Sequence, residues 1–359
     1  MQIKNNIIGL DKKEFLAFLT VAFIFALVEA RGLVNIAPGD ENVYFYMAKS
    51  VSEGQLPYRD FFYAHPPLHV LILALVIKIF GANFLALKTA ALLTLLTASF
   101  FLFKAAVVLL KDKFNDCNHL LISITAVALF LFSFEVMFKA TFSLGIELSI
   151  MLVMISFYLM LANKFFLFGI FAGLAGLARI YALAPVFAIF IFILIKKINQ
   201  KKIKDFLHAA FGFIITFVLV ISVLIMLFGS KFIEPVFMYH LLKIRLPNQG
   251  FQVYKNVLQE NWLIIAAFLS SVFVKNKKQF QLLYFIIFLC LIFLLSLNVP
   301  AEFYFTAAFP FMSIIGAYSI VDIIRKLRLP KAVKYAVIII ISSIFLWNTL
   351  TDAIFLEKF

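Results

Sequence analysis

Residues 211–228 read FGFIITFVLVISVLIMLF, eighteen consecutive residues without a charged side chain. The hydrocarbon core of a bilayer is about 30 Å thick and takes about 20 apolar residues in a helix. Lipid offers no partner for an unpaired backbone N–H or C=O group, so such a run crosses the membrane as an α-helix. A membrane β-barrel needs strands of about 10 residues with alternating hydrophobicity, and this continuous run does not have that pattern.

The rest of the chain has the same character. Of the 359 residues, 64% are hydrophobic and 14% are charged, whereas about a quarter of the residues in a soluble domain are charged. A soluble core of this length could not hide so much apolar surface. We therefore predict an all-α polytopic membrane protein with one transmembrane domain over 1–359 and no C-terminal soluble domain. The apolar segments lie at 14–36, 66–80, 84–110, 119–134, 146–162, 165–178, 180–195, 206–229, 261–274, 280–297, 303–324 and 335–354.

The positive charges lie in short loops between these segments. The net charge is +14, with basic clusters at 196–204, 275–278 and 325–334. Lys and Arg accumulate in cytoplasmic loops and also contact anionic lipid headgroups. We expect a multi-pass protein of the cell (plasma or inner) membrane, with membrane lipids and no nucleic acid among its partners. If all twelve segments crossed the membrane, the three basic clusters could not all be cytoplasmic while the loop 37–65 is on the outer face. We therefore expect eleven to thirteen transmembrane helices.

Cysteine and histidine spacing does not support a metal centre. Cys117 and Cys290 lie far apart in the chain, and neither belongs to a C-x-x-C motif. His65 and His69 are four residues apart, one helical turn, but no cysteine or carboxylate completes a ligand set there. We therefore predict no cofactor, and a divalent metal has no support in the sequence.

Two polar connections, 37–65 and 230–260, are predicted on the outer face. The first contains GDENVYFYMAKSVSEGQLPYRDFFYAHPP (39–67). Gly54 is a natural end for a helix in this stretch, and the prolines at 66–67 suit the start of the next one. Four apolar side chains of that helix fall on one side, which predicts an amphipathic helix lying in the membrane interface: Val43, Tyr46, Met47 and Val51.

Two adjacent carboxylates, Asp40 and Glu41, open this helix. Asp is a preferred N-cap residue, and a Glu in the first turn is favoured by the helix dipole. A capping box would need Glu or Gln three residues after the cap, where this chain has Val43. The roles of helix cap and general base are compatible for Asp40, so spacing alone leaves both open.

The combination of G-D-E-x-x-Y-x-x-A, L-P-Y-R-D-F and H-P-P-L resembles the integral-membrane glycosyltransferases of the GT-C fold, closest to protein O-mannosyltransferases and lipid A aminoarabinose transferases. The resemblance implies a GT-C-like bundle and transfer of a sugar, with inversion, from a polyprenyl-phosphate donor to a glycan, lipid or protein acceptor on the outer face. It also implies that Asp40 is the catalytic base, with Glu41 as the second candidate. The matching residues are Asp40, Glu41, Tyr44, Ala48, Pro57, Tyr58, Asp60, His65, Pro66 and Pro67.

Two later segments resemble the same family more faintly. GLAGLARIYALAPVF (173–187) resembles a Gly-rich helix that ends in a basic residue and precedes a Pro-containing helix. AEFYFTAAFPFMSIIGAY (301–318) resembles a late segment with Tyr, then Pro, then small residues. The family often has a basic residue before that Tyr, where this chain has Glu302. Many relatives also carry a C-terminal soluble domain.

A leaving phosphate needs a cation, and Arg suits this role through its bidentate fork. Arg179 is our first candidate because it interrupts an apolar stretch, where a charge is costly. The alternative is an Arg that snorkels at a helix end. Lys243 and Arg245 come next, with solvated charges of an interfacial segment as their alternative. The substrate-binding candidates are Tyr44, Tyr58, Asp60, His65, His240 and Tyr304, of which the last could instead belong to an aromatic belt.

Two other classes of function stay open. A polytopic lipid or solute transporter or flippase places charges midway along broken helices and often contains repeats, whereas the polar residues here gather at one face. A non-catalytic component of an envelope assembly could keep the fold without the activity, and the Asp40–Glu41 pair argues only mildly against it. Transfer of label from a polyprenyl-phosphate sugar would discriminate between these classes.

Overall fold

A computed structural model describes residues 10–35, 39–111, 116–200, 202–243, 249–274 and 278–326. Within these ranges the chain is helical, and extended backbone pairs at one isolated bridge, Pro57 with Phe61. The first nine α-helices are α1 (Lys12–Glu29), α2 (Asp40–Ser52), α3 (Leu68–Phe80), α4 (Phe84–Leu110), α5 (Asp116–Leu131), α6 (Phe134–Phe138), α7 (Ile146–Leu161), α8 (Phe165–Ala178) and α9 (Leu183–Asn199). The next eight are α10 (Ile203–Phe213), α11 (Leu219–Phe228), α12 (Ser230–Ile233), α13 (Tyr239–Leu241), α14 (Gln249–Glu260), α15 (Trp262–Leu269), α16 (Gln281–Ser296) and α17 (Phe309–Lys326).

Each predicted apolar segment that the structure describes contains a helix. Segments 84–110 and 165–178 coincide with α4 and α8. The first segment ends earlier than predicted, at Glu29, because a turn follows there and brings Gly32 against Thr141. The last predicted span, 335–354, lies outside the described residues.

Several helices can cross a membrane. Four stretches of the described chain are long and apolar enough by length and composition: Phe84–Leu110, Ile180–Asn199, Ile203–Phe228 and Lys278–Ser296. Shorter apolar helices, among them α3, α5, α7 and α8, pack with them. The predicted class, an all-α multi-pass membrane protein, is confirmed.

The centre of the bundle is built from α4 on α7 and α7 on α8, with α5 against α17. Helices α8 and α10 approach until their backbones touch. A Cβ atom on Gly169 would lie 2.0 Å from the carbonyl oxygen of Ala209, and one on Gly212 would lie 2.4 Å from that of Phe166. Glycine is therefore required on both helices, as is common where helices associate in lipid through van der Waals packing.

Two local features bring polar side chains together. Helix α2 begins at Asp40, packs along α3 and ends just before Gly54, whose φ of +99° suits a residue without a Cβ atom. Helix α8 ends at Ala178, and Arg179 has extended backbone ahead of a short 3₁₀ turn at Ile180–Ala182. The predicted stop at Gly54 and the predicted break near Arg179 are both confirmed.

Candidate active site

A cavity of about 440 Å³ lies between α2, the break after α8, the segment that contains α13, and the 3₁₀ turn before α17. It is wide enough for a sugar-sized group and has both apolar and polar walls. Its polar side chains are Asp40, Tyr44, Tyr63, His65, Arg179, Tyr181, Tyr239, His240, Lys243 and Tyr304. The cavity thus brings together most of the residues predicted for the site, from segments that are far apart in the chain.

Asp40 is an exposed carboxylate at the edge of this cavity. The N-cap of α2 is Gly39, and Asp40 is the first helical residue with no capping hydrogen bond. The helix-cap interpretation of Asp40 is therefore wrong. Among the residues that the structure describes, Asp40 has no hydrogen-bond or salt-bridge partner. Its carboxylate is available to accept a proton.

Glu41, the adjacent carboxylate, has a different environment. It is 4% exposed, and its Oε2 atom accepts a hydrogen bond from the Nζ atom of Lys88 at 2.8 Å. Its Oε1 atom accepts the backbone N–H of Ser143 at 3.1 Å. Lys88, on α4, is fully buried. Both oxygens of Glu41 are therefore engaged, and Glu41 is not among the residues that line the cavity.

Arg179 lies at the inner wall of the cavity, 4% exposed. Its guanidinium carbon is 5.1 Å from the centre of the Tyr44 ring, and its Nε atom is buried without a hydrogen-bond partner. Within the described chain, no carboxylate lies within salt-bridge distance of it. The snorkelling alternative fails, because the side chain is buried in protein. A buried cation with a free N–H group beside a cavity is suited to an anion.

Histidine and tyrosine side chains form a second wall. The hydroxyl of Tyr44 is hydrogen-bonded to the Nε2 atom of His65 at 2.9 Å, and the His65 ring stacks on that of His240 at 5.2 Å. The Nε2–H group of His240 donates to the carbonyl oxygen of Ala64 at 2.8 Å. Burial and the nearby charge of Arg179 hold the pKa of His65 well below its usual value. Burial also lowers the pKa of His240. Both imidazoles are therefore neutral at physiological pH, and each has one nitrogen engaged by the protein, which leaves the Nδ1 atom of each ring for a ligand.

Other predicted residues lie at the rim. Tyr304 packs on Tyr181 with a ring distance of 5.2 Å. Lys243 lies over the ring of Tyr239 at 4.8 Å and faces the cavity. The remaining predicted cation, Arg245, lies outside the described residues.

Two predicted substrate-binding residues are not in the cavity wall. The Tyr58 hydroxyl donates to the carbonyl oxygen of His65 at 2.6 Å, and this buried tyrosine has a left-handed backbone with φ of 68°. Asp60 is paired with Arg59 at 2.8 Å on the surface, and this pairing lowers the pKa of Asp60 to about 2. Both residues brace the loop that carries His65. A bulky residue with positive φ is uncommon and persists only when its surroundings enforce it.

The structure adds residues that the sequence did not single out. Tyr63 and Tyr181 line the cavity. Gly145, with φ of +77°, lies so close to Arg179 that a Cβ atom there would be 2.9 Å from its Nε atom. Tyr181 could have been identified from its position two residues after Arg179, but the contact with Gly145 had no sequence signal. In the described ranges, no three His, Cys, Asp or Glu side chains converge in a way that could hold a metal ion.

The helical bundle and its juxtamembrane helix define a multi-pass membrane protein with the GT-C fold, as the loop motifs predicted. Two similar solved structures are crystal structures of ArnT from Cupriavidus metallidurans, a lipid A aminoarabinose transferase of this fold. The apo structure gives a TM-score of 0.63, and the structure bound to undecaprenyl phosphate gives 0.68.

In both comparisons 14% of the aligned residues are identical, and the alignment covers 88% of this chain. The chain spans about 60% of the length of ArnT. No family model matches the sequence, and no curated protein sequence matches it. The likeness to ArnT therefore concerns the fold.

Proposed function

We propose that this protein is a membrane glycosyltransferase that moves a sugar from a polyprenyl-phosphate-linked donor to an acceptor on the outer face of the membrane. The observation that carries the proposal is one cavity lined by an unpaired carboxylate, Asp40, and a buried arginine with a free N–H group, Arg179. Glycosyl transfer from a lipid phosphate needs a base for the acceptor and a cation for the leaving phosphate.

Asp40 is the proposed general base. Its carboxylate takes the proton from an acceptor hydroxyl or amine as the acceptor atom attacks the anomeric carbon. The new glycosidic bond forms as the bond between the anomeric carbon and the phosphate oxygen breaks, and its electron pair leaves with the phosphate. Because the acceptor attacks from the face opposite the phosphate in one displacement, the anomeric centre is inverted.

Arg179 is the proposed ligand of the leaving phosphate. Negative charge increases on the phosphate as the glycosidic bond breaks, and a fixed cation in a water-poor site stabilises that charge. The ring of Tyr44 holds the guanidinium on one side, and the unpartnered Nε–H group is ready to donate. Lys243, at the rim, is proposed as a second contact for the same phosphate.

The neutral imidazoles of His65 and His240 and the hydroxyl of Tyr304 are proposed to bind sugar hydroxyls. Neutral donors and acceptors bind a sugar without competing with the phosphate for Arg179. Apolar residues such as Phe62 and Leu241 also line the cavity and are exposed, which suits an isoprenoid chain. That an ArnT structure contains undecaprenyl phosphate supports a polyprenyl phosphate as the lipid part.

The test is transfer of a radiolabelled sugar from a polyprenyl-phosphate donor to a membrane extract by the purified protein. Asp40→Asn is expected to lower the turnover at least about 100-fold, in line with the loss of a general base. The matched control is Asp60→Asn, since Asp60 is a carboxylate of the same loop that lies outside the cavity. Arg179→Ala is expected to weaken donor binding without unfolding the protein.

Transfer by Asp40→Asn at the wild-type rate would refute the assignment of the base. Unchanged donor affinity in Arg179→Ala would move the phosphate to Lys243. If the protein binds the donor but transfers nothing, and binding does not depend on Asp40, the protein is a carrier or an assembly component rather than an enzyme.

A further inference from the structure

Glu41 sits beside the proposed base, yet both of its carboxylate oxygens point to groups that take no part in the proposed chemistry. One oxygen binds Lys88 on α4 at 2.8 Å and the other binds the backbone of Ser143 at 3.1 Å. Lys88 is fully buried, and its Nζ atom also lies 4.9 Å from the centre of the Phe142 ring. A single side chain therefore joins the first turn of α2 to α4 and to the segment 141–145.

The segment 141–145 continues to the phosphate side of the cavity. The hydroxyl of Ser143 lies 3.4 Å from the Nε2 atom of His69 on α3. Two residues later, Gly145 packs so closely that a Cβ atom there would be 2.7 Å from the His69 ring and 2.9 Å from the Nε atom of Arg179. The backbone that Glu41 holds is therefore the backbone against which Arg179 rests.

Stability alone does not account for this pair. Removing two charges from water costs several kcal/mol for each ion, and apolar residues of similar volume often serve as well or better. An ion pair does specify one relative position of two elements, since each charge has to meet the other. Here the elements are the helix that carries Asp40 and the segment that supports Arg179.

We infer that Glu41 is a positioning residue, which with Lys88 and the backbone of Ser143 fixes the distance between the proposed base Asp40 and the proposed phosphate ligand Arg179. The inference rests on the proposed function. It replaces the predicted role of Glu41 as a second candidate for the catalytic base. Bond formation at the anomeric carbon occurs between the base and the phosphate, so an error in their spacing lowers the turnover.

The test uses a double variant, Glu41→Gln with Lys88→Met. It removes both charges at nearly constant volume, so no buried ion is left unpaired, and the amide can still accept the Ser143 N–H group. We expect a melting temperature near that of the wild type and a kcat lowered about 10- to 100-fold, the range expected for reacting groups misplaced by up to about 1 Å. Gly145 still packs on Arg179 in this variant, so the displacement falls on α2 and Asp40, and donor affinity should stay within about twofold. The acid limb of the pH–rate profile should remain, because Asp40 is still present.

The matched control is Glu14→Gln with Lys111→Met. In that pair the buried Glu14 binds Lys111 at 3.1 Å, and Lys111 directly follows the last residue of α4, at the opposite end of the helix from Lys88. We expect its kcat to equal that of the wild type. A correctly folded single variant, Glu41→Asp, keeps the charge but shortens the link, and should also lose kcat more than donor affinity.

The outcomes separate the two proposals. Absence of transfer by the wild-type protein overturns the proposed function, and the inference with it. Wild-type transfer together with a kcat in the Glu41–Lys88 double variant equal to that of the control overturns the inference alone. Loss of the acid limb in that variant would also overturn it, since Glu41 would then be the base.

Discussion

Gly145→Ala tests how tightly Arg179 is held. Gly145 is the N-cap of α7 and has left-handed backbone, with φ of 77° and ψ of 2°. An L-residue in that conformation costs about 1–2 kcal/mol. The new methyl group would also lie 2.9 Å from the Nε atom of Arg179, so the guanidinium has to retreat by about 0.5 Å, from 2.9 to the 3.4 Å of ordinary contact.

That displacement acts on the group proposed to bind phosphate. A hydrogen bond to a charged group contributes about 1.5–3 kcal/mol, so losing one weakens binding about 10- to 100-fold. We expect Gly145→Ala to lower donor affinity by that factor. The measurement is equilibrium binding of tritiated undecaprenyl phosphate to the purified protein in detergent, with the melting temperature recorded in parallel.

Gly81→Ala is the control. Gly81 has nearly the same φ, 76°, but a Cβ atom there would meet nothing within 4 Å. Its backbone is still unfavourable for alanine, since ψ is 174°, so the control carries strain of about 1–3 kcal/mol without the contact. If both variants lose stability and bind undecaprenyl phosphate equally well, the contact between Gly145 and Arg179 is irrelevant to binding and the reasoning is refuted.

Three further predictions concern stability. Burial raises the pKa of Glu135 from 4.5 to about 7. The folded state therefore holds a proton that the unfolded state releases, and stability is lost as pH rises from about 4.5 to about 7, by about 3 kcal/mol. Glu135→Gln should flatten the melting temperature across that range, and Asp60→Asn, at a carboxylate that titrates near pH 2, should not. Gly169→Ala should abolish the folded peak in size-exclusion chromatography, because its Cβ atom would lie 2.0 Å from the backbone of α10. Tyr58→Phe removes the donor to the carbonyl oxygen of His65, a partly buried hydrogen bond, and should cost about 1 kcal/mol in thermal unfolding; an unchanged melting temperature would contradict it.

The helices could be predicted because the bilayer imposes their length. A long apolar run has one stable structure in lipid, a helix. The bounds of α4 and α8 follow from the charged residues beside them, Lys111 after α4 and Lys164 and Arg179 around α8. The break at Arg179 followed from the same physics, since a charge after a Gly-rich helix is a natural place to end it. The sequence therefore predicts both the helices and Arg179 as the residue between α8 and the next helical turn.

The contacts between helices could not be predicted in the same way. Nothing in the spacing of the chain says that Asp40 and Arg179 share a cavity, and only the family resemblance linked them. Lys88 shows why: a lysine inside the run FLALKTAALL (84–93) has to find a partner in the protein, but the sequence offers several carboxylates and does not say which. Tyr58 is a substrate-binding candidate through its place in the L-P-Y-R-D-F motif, whereas the fold uses its hydroxyl on the backbone of His65.

The pair Asp40–Glu41 shows how neighbouring carboxylates acquire different roles. A general base needs an ionised oxygen that the acceptor can reach, and Asp40 is exposed at the cavity with no hydrogen bond to the described residues. A carboxylate that fixes geometry has to be buried and fully paired, and Glu41 has one oxygen on Lys88 and the other on Ser143. Successive residues of a helix point about 100° apart, so the two side chains cannot face the same surroundings. The rotation between them places the Asp40 carboxylate at the cavity and the Glu41 carboxylate against Lys88 and Ser143. Exchanging the two residues should therefore destroy both the proposed proton transfer and the positioning of α2.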